Sequence, residues 1–177
     1  MPTIEETIKE KLSEIEEKHN VKIIYACESG SRAWGFASPD SDYDVRFVYV
    51  RDVRDYLRLE RIRDVIEYEL NDIYDINGWD IKKLLLLLAK SNPVIFEWAD
   101  SPVVYRTTGD WKRVESVMPE YFSEHIPLFR HHRCSRNRSL HCWHILLRRR
   151  RMPLQQKQQE PLKQTNFFSF LISLKKQ

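Results

Sequence analysis

Two strand-like segments joined by a long polar connection place the strongest constraint on the fold of this chain. Residues 21–27 (VKIIYAC) and 43–51 (YDVRFVYVR) are rich in β-branched and aromatic residues, as strands usually are. Residues 28–42 between them are rich in Ser, Gly, Pro and Asp, which predicts an irregular connection. The sequence therefore requires a β-sheet that contains both segments.

Helical patterns surround these strands. Residues 3–19 place apolar side chains at helical spacing, and Thr3 and Glu6 form a capping-box pattern at the start of that segment. Further helices are predicted over residues 52–59, 80–90, 93–99 and 111–118, and further strands over 63–70, 73–78 and 103–105. This alternation predicts an α/β (α+β) fold: a small mixed sheet with helices packed on one face.

Charge divides the chain near Phe122. Residues 1–122 carry 17 Lys/Arg and 24 Asp/Glu, whereas residues 123–177 carry 12 Lys/Arg and only 2 Asp/Glu. The balance changes from −7 to +10, within a total of +3. We therefore expect one folded domain over residues 1–122, followed by a basic C-terminal tail over residues 123–177 whose order the sequence leaves open.

Several classes of protein are unlikely on composition. No apolar run approaches the roughly 18 residues that span a bilayer, and the acidic N-terminus lacks the apolar stretch of a secretory signal. Three cysteines, Cys27, Cys134 and Cys142, are an odd number that fits a reducing compartment better than a disulfide framework. The sequence predicts a cytoplasmic protein.

The residues with the clearest chemistry lie where the second strand begins. Asp42 and Asp44 are two residues apart, so a strand places both carboxylates on one face. Carboxylates this close repel each other unless a cation lies between them, and Mg²⁺ binds a small number of carboxylates together with phosphate oxygens. The alternative is a polar turn formed by residues 40–42.

The Gly30-Ser31 turn comes directly after the first strand. Its backbone N–H groups and the Ser31 hydroxyl suit a polyphosphate, and Gly30 allows the backbone to approach closely. Arg46 lies on the same strand face as Asp44, where it either balances the carboxylates or contacts a phosphate. Arg32 is either a phosphate contact or a surface residue.

These motifs resemble the DNA polymerase β-like nucleotidyltransferase superfamily. Its signature is a Gly-Ser turn, an Asp-x-Asp pair on the next strand, and a third carboxylate on a later strand. Additional blocks resemble, more narrowly, the predicted nucleotidyltransferase family labelled RNA-ligase-associated (RlaP-like), over about residues 20–122. These blocks are GSRAWG at 30–35, DSDYDVR at 40–46, GWD at 78–80, KSNP at 90–93, EW at 97–98 and SPVVY at 101–105.

The resemblance implies transfer of a nucleoside monophosphate from an NTP to a hydroxyl or phosphate acceptor by a two-metal mechanism with Mg²⁺ or Mn²⁺. Asp42, Asp44 and Asp80 would be the catalytic and metal-binding residues. Nucleotide contacts would come from Gly30, Ser31, Arg32 and Arg46. Asp80 could instead cap the helix that follows it, in which case Asp72 and Asp75 are the rivals for the third carboxylate.

The resemblance leaves the acceptor open among an RNA end, a tRNA, a protein side chain and a small molecule. It does not fix the base preference, the oligomeric state or a role for Glu97. It also ends near Phe122, where members of the family continue into a helical region. We interpret residues 123–177 as a frame-altered or truncated form of that region. Loss of it would favour the alternative function, a catalytically inactive module that keeps the fold and senses nucleotides or binds RNA.

Overall fold

The structure is a computed structural model that describes residues 3–70 and 73–122. Within these ranges the strands are β1 Lys22–Glu28, β2 Tyr43–Val50, β3 Val65–Leu70, β4 Tyr74–Asp80 and β5 Val104–Thr107. The helices are α1 Ile4–His19, α2 Val53–Tyr56, α3 Ile81–Leu88, α4 Pro93–Ala99 and α5 Gly109–Val117, and a 3₁₀ turn follows at Met118–Tyr121. The predicted basic tail, residues 123–177, lies outside the described residues.

The five strands form one mixed sheet in the order β3-β4-β2-β1-β5. The central strand β2 runs antiparallel to β1 and parallel to β4. This arrangement confirms the predicted α+β class. It also brings the start of β2, the start of β4 and the end of β1 to the same end of the sheet.

Helices cover both faces of the sheet, whereas the sequence suggested one covered face. Alternate residues of β2 explain this difference, because Phe47 and Val48 point to opposite sides. Phe47 belongs to the core that α1 completes with Ile8, Leu12 and Ile15. Val48 belongs to a second core, shared with the buried side chains of α3, α4 and α5.

The local signals for helix ends are confirmed. The backbone N–H of Glu6 donates to Oγ1 of Thr3 at 3.2 Å, and the N–H of Thr3 donates to Oε2 of Glu6 at 2.7 Å. Asn20 ends α1 in the left-handed conformation, with φ of 49°.

No helix within residues 3–70 and 73–122 is long and apolar enough to cross a membrane.

Candidate active site

Two carboxylates face each other on neighbouring strands at the end of the sheet where β2 begins. The parallel register pairs Asp44 of β2 with Asp75 of β4. The guanidinium of Arg46 bridges them: its Nη2 lies 2.9 Å from Oδ1 of Asp44 and 2.6 Å from Oδ2 of Asp75. Nη1 of Arg46 also donates to the carbonyl of Asp75 at 2.8 Å. Arg46 therefore balances the carboxylates, which is one of the two roles its position suggested.

The Gly-Ser turn packs directly against this pair. A Cβ atom added to Gly30 would overlap with the carboxylate of Asp44, so only glycine fits at this position. The backbone N–H of Ser29 donates to the carbonyl of Asp44 at 2.9 Å and fixes the spacing between the turn and β2. The sequence-predicted residues Gly30 and Asp44 are thus brought into contact.

Three consecutive backbone donors in the turn remain available. The carbonyls of Gly30 and Ser31 accept bonds from Ala33 and Trp34, as in the first turn of a helix. The N–H groups of Gly30, Ser31 and Arg32 donate to no acceptor within the described ranges. A short series of such donors is suited to an anion.

Asp42 adds a third carboxylate beside Asp44. Its side chain is half-buried and makes no hydrogen bond or ion pair within residues 3–70 and 73–122. Burial is the main cause that raises the pKa of Asp44; the charge of Arg46 opposes this shift, and the charges of Asp42, Asp75 and Glu28 add to it. The cluster thus has more negative than positive charge.

Glu28 is a site residue that the sequence analysis missed. It ends β1, its side chain is 1% exposed, and its Oε1 accepts the backbone N–H of Asp44 at 2.7 Å. Its Oε2 accepts the hydroxyl of Tyr105 on β5 at 2.6 Å. A carboxylate directly between an apolar strand and the Gly-Ser turn was the signal available in the sequence. Glu28 connects three strands at the end that carries the cluster.

Arg32 holds the connection between the two strands. Its Nε donates to the carbonyls of Ser41 and Asp42 at 3.1 Å each, and its guanidinium lies over the ring of Tyr43, 4.1 Å from the ring centre. These contacts fix the backbone on which Asp42 stands. They use Nε and one N–H of Nη2, two of the five guanidinium donors.

Asp80 is not brought to this cluster. In the parallel register of β2 and β4, Asp80 pairs with Tyr49, whereas Asp75 pairs with Asp44. Asp80 therefore lies five residues beyond Asp75 along β4, about 16 Å from it at the usual strand rise. Its Oδ1 accepts the N–H of Lys82 at 2.8 Å, as an N-cap of α3 does. The register thus places Asp75, one of the two rivals for the third carboxylate, beside Asp44 and places Asp80 away from it. Asp72 lies outside the described residues.

The donor chemistry of the cluster fits a hard divalent cation. The available oxygens of Asp42, Asp44 and Asp75 are carboxylate oxygens, the type that Mg²⁺ and Mn²⁺ prefer. With the side chains as they stand, however, no three His, Cys, Asp or Glu residues of the described part form a metal-binding group. Both Asp44 and Asp75 bond to the guanidinium of Arg46.

Comparison with known proteins identifies the family. A family model described as "RNA repair pathway DNA polymerase beta family" (RlaP) matches residues 4–162. The chain belongs to this family. The resemblance found in the sequence motifs is confirmed, and the matched range continues past residue 122, where the matching motifs end.

A curated relative and the solved structures say less about function than the family model does. The chain is 52% identical over 102 residues to the "Uncharacterized protein YcgL" of Bacillus subtilis (strain 168). That alignment covers 58% of this chain and 39% of the relative, so the chain spans well under half of the relative's length. No solved structure gives a significant match.

Proposed function

We propose that this RlaP-family chain is a metal-dependent nucleotidyltransferase that transfers a nucleoside monophosphate from an NTP to a hydroxyl or phosphate acceptor, with release of pyrophosphate. The observation that carries the proposal is the contact between the Gly30 turn and Asp44, with Asp75 in register beside it. A phosphate-binding turn and an acidic cluster in contact are the two parts that phosphoryl transfer requires.

The turn would bind the nucleotide. The free N–H groups of Gly30, Ser31 and Arg32, together with the Ser31 hydroxyl, would hold the β- and γ-phosphates. The side chain of Arg32 would act indirectly, by holding the backbone carbonyl of Asp42.

The acidic cluster would hold the metal and orient the acceptor. Asp42 and Asp44 would bind Mg²⁺ or Mn²⁺, and Asp75 replaces Asp80 as our candidate for the third carboxylate. When bound, the ions would neutralise phosphate charge and stabilise the attacking and leaving oxygens. Asp75 lies two hydrogen bonds from Asp44 through Arg46, close enough to orient an acceptor hydroxyl or accept its proton.

RNA is the acceptor class we favour over protein. The family description names an RNA repair pathway, and residues 123–177 carry 12 Lys/Arg against 2 Asp/Glu. Such a charge balance strengthens binding to a phosphate backbone through counterion release.

A nucleotide-binding module without transfer activity is the second candidate. The bonds from Arg46 to both Asp44 and Asp75 favour it, because they satisfy the two carboxylates without a metal ion. Such a module would bind NTP at the turn and would not transfer its nucleotide.

One experiment separates the two candidates. The protein is incubated with an α-labelled NTP, Mg²⁺ or Mn²⁺, and cellular RNA or protein extract, and both label transfer and NTP retention are measured. We expect metal-dependent label in the RNA fraction, and none with Asp42→Asn/Asp44→Asn. NTP retention without transfer supports the inactive module, whereas label in protein overturns the RNA assignment.

A further inference from the structure

A second charged site lies at the opposite end of β2 from the candidate active site. A cleft of about 280 Å³ lies beside Arg51, Tyr56, Arg58, Arg61, Asp80 and Lys82, and we call it the Arg51 cleft. Arg51 comes seven residues after Asp44 along the same strand direction, about 23 Å away at the usual rise. The cleft is therefore separate from the Gly-Ser turn and its carboxylates.

Arg51 is a largely buried cation with poor partners. Its side chain is 15% exposed, and its Nε is buried without a hydrogen bond. The nearest carboxylate oxygen, Oδ2 of Asp80, lies 3.7 Å from Nε, and Nη2 reaches the Tyr49 hydroxyl and the Arg63 carbonyl only at 3.4 Å. A buried guanidinium normally makes shorter, charge-assisted bonds, so its weakly bonded Nη2, unlike the buried Nε, is available to another acceptor.

The carboxylate of Asp80 is already committed to other donors. It accepts the N–H of Lys82 and the hydroxyl of Tyr56, at 2.8 Å and at 3.1–3.2 Å. Its geometry therefore serves the start of α3 and leaves Nε of Arg51 unsatisfied. Because Nε is buried, an incoming anion would bond to the Nη groups of Arg51.

Two further cations at the rim lack acidic partners. Arg61 and Lys82 line the cleft, are exposed, and make no ion pair within residues 3–70 and 73–122. Lys82 also lies in the first turn of α3, where the helix dipole disfavours a positive side chain. A bound anion would relieve this unfavourable placement.

The acidic residues of the cleft leave a positive surplus. Asp55 pairs with Arg58 at 3.3 Å, and Asp64 lies 3.8 Å from Lys83. Glu60 also lines the cleft and is exposed. Over the whole lining five cations face four carboxylates, a surplus of one positive charge, and the carboxylate nearest Arg51 is that of Asp80.

We propose that the Arg51 cleft binds phosphate groups, with Arg51 as the interior contact and Arg61 and Lys82 as the rim contacts. The planar guanidinium suits phosphate oxygens, and the volume admits a short polyphosphate or one nucleotide of a strand. This proposal does not depend on nucleotidyl transfer at the other end of the sheet. The phosphate source is either a free polyphosphate or a nucleic-acid strand.

The test observes Arg51 itself, because the basic residues 123–177 would dominate any measurement of total binding. The side-chain Nε–H signal of Arg51 is followed by ¹⁵N NMR of the full chain during titration with tripolyphosphate at constant ionic strength. The signal is assigned by its loss in Arg51→Lys, or by through-bond experiments on the wild type if that variant does not fold. We expect a saturable downfield shift.

Two double variants make the test specific. Arg61→Gln/Lys82→Gln should weaken the apparent affinity at least about tenfold, roughly 1.4 kcal/mol. Lys90→Gln/Lys112→Gln, which removes two exposed cations outside the cleft, should leave it unchanged. An absent or unsaturable shift, or equal affinity in both double variants, would overturn the proposal.

A second titration identifies the phosphate source. If a short oligoribouridylate saturates the Arg51 shift at a lower phosphate concentration than tripolyphosphate does, the phosphate source is a nucleic-acid strand. The reverse order assigns a free polyphosphate. A response to neither ligand removes the phosphate site.

Discussion

Asp44 and Asp75 stand side by side in the parallel register of β2 and β4, and a single guanidinium, that of Arg46, binds both. Like charges on adjacent strands disfavour pairing unless a cation separates them. Here Arg46 supplies that cation from the same strand face. The two carboxylates therefore stay side by side before a metal or nucleotide binds.

The first prediction concerns ligand-induced stabilisation. NTP with Mg²⁺ should raise the melting temperature, because a ligand that binds only the folded state stabilises it by mass action. Asp42→Asn/Asp44→Asn should abolish that shift in a thermal-melt measurement. Asp40→Asn, an exposed carboxylate in the same connection, is the control and should keep it. An unchanged shift in the double variant would remove the pair from the binding site.

The second prediction concerns Gly30. Gly30→Ala should displace the Asp44 carboxylate, because the added Cβ overlaps with it, and nucleotide binding should weaken at least about tenfold. In Gly109→Ala the new Cβ meets nothing within 4 Å, so this control should retain binding. Equal affinities of the two variants, measured by calorimetric titration, would mean that the turn and Asp44 need not touch.

The third prediction concerns Glu28. Glu28→Ala should lower the free energy of unfolding by about 1–3 kcal/mol, because it leaves the buried N–H of Asp44 without its acceptor. It should also weaken metal-dependent NTP binding, since the backbone of Asp44 loses a fixed position. Glu10→Ala, at an exposed position of α1, should change neither quantity. Chemical denaturation measures the free energy of unfolding, and the thermal shift measures NTP binding. A loss of stability without weaker NTP binding would mean that Glu28 stabilises the fold and does not contribute to the binding site.

The fourth prediction concerns pH. Burial is the main cause that raises the pKa of Asp80 above its ordinary 3.8, so the folded state binds this proton more tightly than the unfolded state. The contribution of Asp80 to stability should therefore be fully present below its ordinary pKa of 3.8 and be lost as the pH rises through its raised pKa.

Denaturation of the wild type and of Asp80→Asn at several pH values isolates this contribution. The stability difference between them should move in favour of the wild type on acidification. The opposite slope would mean that the bonds from Lys82 and Tyr56 and the charge of Arg51 outweigh burial and lower the pKa.

The sequence predicted local features well and distant pairings poorly. Thr3 and Glu6 identified the start of α1 because a capping box lies within four residues. The strand pattern likewise located β2, which begins at Tyr43 and contains Asp44, whereas Asp42 precedes its first residue. The choice between Asp75 and Asp80 depended on the register of β4 against β2, which no local pattern encodes, and Asp80 was plausible because it follows the strand and precedes a helix.

Two other features became visible only in the fold. The sequence placed Glu28 in the irregular connection over residues 28–42, and its two bonds reach residues 16 and 77 positions away in the chain. For Arg32 the sequence left a phosphate contact and a surface position open, and its bonds to the backbone carbonyls of Ser41 and Asp42 cannot be inferred from the Gly-Ser motif. In both cases the tertiary structure determined the partner.

The central claim is that the reacting centre lies at Asp44 and Asp75, and the most direct test compares nucleotidyl transfer by Asp75→Asn and Asp80→Asn. Both changes remove one carboxylate charge from β4 and keep similar shape, and Asn at position 80 still caps α3. Asp75→Asn should reduce transfer at least about a hundredfold, roughly 2.7 kcal/mol in the barrier. Asp80→Asn should keep near wild-type transfer. Loss of transfer in a folded Asp80→Asn, with transfer preserved in Asp75→Asn, would contradict the account.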